Sequence, residues 1–204
     1  MTSSNVTTDL GEFVNVKTSE LQNDYLDNRA HAVAQLAKLR RGVNLPIGSD
    51  IELIGLTTAG LEPEAGWLTD LPTDREQAAY TALSLFALHQ QSSRAKRMHR
   101  TGYSFGRSAR LLRKHSGNDE GVRRRFNALG TATTWDELRH HSRGLIQQFR
   151  AHDIPLDYAR FAWDLLKLRD PARADSVRNA WGRDFYRITS KDDKVPDNTD
   201  LNAS

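Results

Sequence analysis

Apolar residues recur at three- and four-residue steps along most of the chain, the period of one face of an α-helix. No run alternates with period two over β-branched residues, so the pattern predicts helices nearly throughout and no sheet. A first helix is expected over residues 10–22, and Ala30, Val33, Leu36, Ala37 and Arg40 predict a second from Asp24 to Arg41, stopped by Gly42. Residues 42–72 carry Gly, Pro and Asn at intervals and read as a long connection with at most one short helix.

Thr73 followed by Glu76 is a capping box, opening a well-buried helix to about Gln91 through Ala79, Leu83, Phe86 and Ala87. SSRAKRMHRTGY (92–103) is too charged for a core element and reads as a mobile loop. Helices are then predicted over Ser104–His115, Asn118–Leu129 with Gly130 as a stop, and from a second capping box, Thr134 with Glu137, to about His152. Ile154-Pro155 is expected to begin another through Phe161, Leu165 and Leu168, and Asp170-Pro171 opens a last one that buries Val177, Trp181 and Phe185. The fold class is all-α: two small bundles packed together, seven to nine helices, divided as 10–97 and 98–188, with 189–204 a disordered tail.

Composition narrows the chemistry. The absence of cysteine excludes disulfides, thiolate metal sites and cysteine nucleophiles, and fits a reducing cytoplasm. MTSSNVTTDLGEF has no export signature, and no window approaches the roughly 18 apolar residues of a membrane span, so a cytoplasmic location away from membranes is expected. The net charge of +3 hides a strong asymmetry. Residues 1–93 hold 6 Lys/Arg against 12 Asp/Glu, residues 126–204 hold 12 against 12, and residues 94–125 hold 11 against 2. A block of one sign repels itself unless something negative lies opposite.

GYSFG (102–106) spells the G-x-S-x-G of a hydrolase elbow, but a nucleophile there needs a buried strand before it, and SSRAKRMHRT cannot be one. Ser104 is instead expected to cap the helix it precedes. The seven histidines show no metal-ligand spacing, and the acids of the first helical turns answer the helix dipole, so no metal, cofactor or catalytic residue is expected. The arginines carry the signal. Arg107, Arg110 and Lys114 share a helix face, Arg123, Arg124 and Arg125 follow, and Arg94, Lys96, Arg97 and Arg100 precede them in the loop. Such a stripe grips phosphates without reading bases. Trp67, Trp135, Trp163 and Trp181 lie outside it and read as packing residues, with Tyr103 and Phe105 the nearby stacking candidates.

LAKLRRG (36–42), GYSFGRSARLL (102–112), RRRFNAL (123–129), IPLDYARFAWDLL (154–166) and VRNAWGRDFY (177–186) together resemble the CasB-type small subunit of the type I-E CRISPR complex Cascade, from about residue 25 to 187. The resemblance implies a non-catalytic, all-helical protein that pairs head to tail with its own copy and contacts the repeated backbone subunit. It also implies contact with guide RNA and both strands of the target DNA in the R-loop. It carries over Arg40 and Arg41 from LRRG, Arg107 from GYSFGRS, and Arg123 and Arg124 from RRRF, with Arg139 and Arg143 inferred from position. Two other readings compete: a helix-turn-helix regulator using Arg107–His115 and Glu120–Leu129, and an enzyme, either a serine hydrolase or a metal-dependent nuclease.

Overall fold

A computed structural model describes residues 9–61 and 70–188. Those residues form nine α-helices and no strand. They are α1 (Leu10–Leu26), α2 (Ala30–Gly42), α3 (Ile51–Thr58), α4 (Asp74–Gln90), α5 (Phe105–His115), α6 (Asp119–Thr131), α7 (Trp135–Ala151), α8 (Tyr158–Leu168) and α9 (Pro171–Tyr186). Trp67 and the tail 189–204 lie outside the described residues.

Local chemistry starts most helices where the pattern expects. Both capping boxes form, the Thr73 and Thr134 hydroxyls accepting from the Glu76 and Glu137 N–H groups while the glutamates reach back to the cap backbone. Asp170 caps α9 ahead of Pro171. Three boundaries differ. The helix expected over 24–41 is broken: α1 ends at Leu26, and Asn28 turns the chain with φ of 58°, a conformation Asn tolerates better than most residues. Gly130 does not stop α6, which runs to Thr131. Ile154-Pro155 stays outside the helix, and α8 begins only at Tyr158 behind an Asp157 cap.

Helix α4 is the axis of the molecule. Every residue from Ala78 to Gln90 is buried, because α1, α2, α3, α7 and α8 all pack on it. A helix apolar on all sides belongs inside such a ring. At its far end Tyr158 donates to the Leu85 carbonyl at 3.2 Å, which leaves its oxygen to accept from His89 Nδ1–H at 3.0 Å. Burial takes the pKa of His89 down to about 3 and pushes that of Tyr158 up, so both stay neutral.

A second knot of aromatic rings joins α5, α6, α8 and α9. Phe105 stacks on Phe161 at 5.1 Å and on Trp181 at 4.9 Å, and Phe126 stacks on Phe185 at 4.4 Å. Each such ring contributes on the order of 2 to 3 kcal/mol by leaving water. Gly106 makes the knot possible, since a Cβ there would lie 2.3 Å from the Trp181 carbonyl oxygen. The second glycine of GYSFG thus serves the packing of α5 on α9. Trp181 donates to Asp164 at 2.6 Å, Trp163 lies against Gly11 of α1, and Trp135 donates to Asp74 at 2.7 Å. All three act in packing. Tyr103 and Phe105 are buried too, which removes them as stacking platforms for bases.

Candidate nucleic-acid interface

Arg40, Arg41, Arg139 and Arg143 lie on either side of the segment that leaves α2 and passes α7. Arg40 and Arg41 occupy the last turn of α2, where positive charge suits the helix C-terminus. Tyr80 fixes that exit: its hydroxyl lies 3.1 Å from the Gly42 carbonyl and 3.2 Å from that of Leu45, and a Cβ on Gly42 would come within 2.9 Å of the same oxygen. From the other side Arg143 holds the Asn44 side chain, while Arg139 pairs with Asp136 and lies 3.4 Å from the Leu45 carbonyl. Arg139 and Arg143 therefore reach the segment that directly follows Arg40 and Arg41. A groove of about 400 Å³ runs between that segment and α7, with His140 on its wall.

The loop between α4 and α5 is not the loose segment its charge suggests. Gln22 clamps His99 through both backbone groups, accepting from its N–H at 2.7 Å and donating to its carbonyl at 3.1 Å. Gln90 does the same from the other side, accepting from Met98 N–H at 3.1 Å and donating to the Ser93 and Lys96 carbonyls. Met98 and His99 are buried, and a single parallel bridge joins His99 to Leu156. The His99 ring accepts from the Tyr158 N–H at 3.1 Å and meets Asn15 at 2.9 Å, and burial holds its pKa below the usual histidine value.

On this fixed backbone two of the arginines meet only neutral partners. Arg94 donates to Asn28 at 2.5 Å above the Tyr25 ring, and Arg97 donates to Asn23 at 2.6 Å; both partners are neutral amides. Arg100 lies over Tyr103 at 5.8 Å. Lys96 is paired with Asp153 at 2.6 Å, an exposed bridge of the kind worth at most about 1 kcal/mol.

Helices α5 and α6 sort their arginines by face. Ser104 caps α5, accepting from Arg107 N–H at 3.1 Å while its own proton goes to Asp184 at 2.5 Å. The hydroxyl thus works as a cap, with a loop before it and a carboxylate as its partner. Arg107 lies over the Tyr103 ring at 4.0 Å, half-buried. Arg110 does not share an exposed face with it. It is 3% exposed and donates to the Asp184 carbonyl at 3.0 Å, because the end of α9 lies across that side of α5. On α6, Val122, Phe126 and Leu129 turn inward, which leaves Arg123, Arg124 and Arg125 exposed. Arg125 lies 3.4 Å from the Gly121 carbonyl, whereas Arg123 and Arg124 have no hydrogen-bond or ionic partner among the described residues.

The charge of residues 94–125 is therefore not one stripe. It divides into a loop set against the α1–α2 turn, a half-buried group at the start of α5, and an open group on α6. No group of three His, Asp or Glu suited to a metal ion occurs among the described residues, and no described helix is long and apolar enough to cross a membrane.

A profile described as CRISPR-associated protein Cse2 matches residues 35–186. The chain belongs to the Cse2 family. Its fold is similar to that of CasB from Thermobifida fusca, with 36% identity, 88% of this chain and 99% of that chain covered, and a TM-score of 0.73. A Cse2-family CRISPR-associated protein from Thermus thermophilus shares the fold at 23% identity, with 88% and 99% covered and a TM-score of 0.61. M. ruber CasB does so at 24% identity, with 76% and 84% covered and a TM-score of 0.57. No curated protein matches the chain.

Within this Cse2 fold the sequence reading misses two cations. Arg160 on α8 and Arg187 at the end of α9 line one small cleft with Arg107 and Arg110. The signal is present in DYARFAWD and DFYR, but their spacing to GYSFGR becomes meaningful only once α5, α8 and α9 are packed.

Proposed function

We propose that the chain is the small, non-catalytic subunit of a type I-E Cascade complex in the cytoplasm, holding the backbone of nucleic acid through exposed arginines. In this reading it pairs head to tail with a second copy, contacts the repeated backbone subunit, and steadies guide RNA, target strand and displaced strand in the R-loop. Membership of the Cse2 family supports the setting. The observation that carries the contact is the state of α6: Arg123 and Arg124 are exposed on a rigid helix with no partner among the described residues. Cations held that way meet phosphates without distinguishing bases. Opening a duplex against a guide exchanges one set of pairs for another at nearly balanced energy, so modest backbone contacts tip it.

Arg139 and Arg143 at the groove between α7 and the segment after α2, with Arg40 and Arg41 just before that segment, form a second contact, and Arg94, Lys96, Arg97 and Arg100 a third. The test is target-DNA retention by the assembled complex carrying Arg107→Ala, Arg123→Ala and Arg124→Ala. Retention is expected to fall about tenfold or more, by a similar factor for every guide and target pair. Unchanged retention contradicts the reading, and a loss confined to particular sequences favours a base-reading regulator.

A further inference from the structure

The cleft between the start of α5, the first turn of α8 and the end of α9 has a volume of about 150 Å³. Four guanidinium groups line it, those of Arg107, Arg110, Arg160 and Arg187, against the single carboxylate of Asp184. That carboxylate faces Ser104 at 2.5 Å and Arg160 at 3.6 Å. Arg110, donating to the Asp184 carbonyl at 3.0 Å and lying 3.4 Å from that of Arg187, ties the end of α9 across the floor. Arg107 has a buried Nε with no hydrogen-bond partner, and the exposed Arg187 side chain has no partner among the described residues. Positive charge thus exceeds negative by three in a space the size of about five waters, at about 30 Å³ each.

We propose that this cleft is a binding site for one phosphate group of a nucleic-acid strand. The assignment rests on the function proposed above and adds Arg160 and Arg187 to it. Charge alone would admit a carboxylate from a protein partner as well. The arrangement favours phosphate because cations from α5, α8 and the end of α9 line one cleft, which suits a group with several acceptor oxygens better than a carboxylate with two. Arginine forks also pair with phosphate oxygens two bonds at a time. The N-terminus of α5 opens on the same cleft and adds its own positive potential. At about 150 Å³ the cleft suits a phosphate group, with the strand passing over its mouth.

The test uses the full chain and two substitutions at exposed positions, Arg160→Gln and Arg187→Gln, alone and together. Inorganic phosphate is titrated while the arginine Nε–H signals are followed by NMR, with acetate as the carboxylate probe. Saturable phosphate binding is expected, weakened about tenfold or more in the double variant, with acetate much weaker. In the assembled complex the same double variant should lower the slope of log K for target DNA against log salt by about 0.7 to 0.9, the loss of one phosphate contact. Equal binding of acetate, or phosphate binding indifferent to both substitutions, overturns the assignment. If the double variant leaves DNA retention unchanged while Arg123→Ala with Arg124→Ala weakens it, the cleft fails and the proposed function stands. If neither changes it, both fail.

Discussion

The loop 91–104 and the middle of α6 carry similar positive charge, and the fold treats them oppositely. In the loop, two glutamines from α1 and α4 occupy the backbone N–H and carbonyl groups, and every cation except Arg100 has a hydrogen-bonding neighbour. On α6 the backbone satisfies itself, and Arg123 and Arg124 are left open. The difference separates two uses of polarity. Buried amides and imidazoles define where the chain goes, while guanidinium groups on a self-sufficient helix are left for another molecule. The first region should therefore fail as structure and the second as binding.

The largest effect is expected from Gln22→Leu. It strands the buried His99 N–H and carbonyl, at about 1 to 3 kcal/mol for each unmet group, so denaturant unfolding should show a loss of about 4 kcal/mol. A loss below about 1 kcal/mol would mean that the loop is held by other contacts.

A smaller effect follows from pH. Burial takes His89 down to about 3, so between an ordinary histidine pKa near 6.5 and that value the unfolded chain takes up a proton the folded one refuses. Stability from this group is present above about pH 6.5 and is lost as pH falls. Asp164 works in the opposite direction: burial raises it to about 6, so between that pH and about 3.9 the folded chain holds the extra proton and gains stability on acidification. At about 1.4 kcal/mol per pH unit the two nearly cancel down to pH 4, leaving wild type with a net loss of about 1 kcal/mol. Asp164→Asn keeps an acceptor for Trp181 and removes the offset, so its stability should fall by about 3 kcal/mol over the same range. Parallel pH profiles for the two proteins would refute this assignment.

The smallest effect on stability is expected from Arg123→Ala with Arg124→Ala, at exposed residues with no hydrogen-bond or ionic partner among the described residues; the variant should stay within about 0.5 kcal/mol of wild type in denaturant unfolding.

What the sequence discloses follows the range of the interaction concerned. The capping boxes at Thr73 and Thr134 and the proline start of α9 depend on residues within four positions of one another, and all three are visible in the string. The clamp of Gln22 on His99 spans 77 residues and leaves no local trace. Asn28 breaks a helix that periodicity alone continues, because the turn depends on one residue accepting a positive φ. Arg110 reads as the neighbour of Arg107 on one face until α9 is laid across it. The site divides the same way: the exposed arginines of α6 follow from Phe126 and Leu129 facing inward, whereas the cleft that joins Arg107 to Arg160 and Arg187 exists only in three dimensions.

The central claim is that arginines on a rigid helical scaffold meet sugar-phosphate chains. Its most direct test is the slope of log K for target DNA against log salt, measured for the assembled complex with wild-type subunit and with Arg123→Ala and Arg124→Ala. Each phosphate contact removed should lower the slope by about 0.7 to 0.9, so a drop of about one to two is predicted alongside unchanged folding. An identical slope in both complexes would contradict the account.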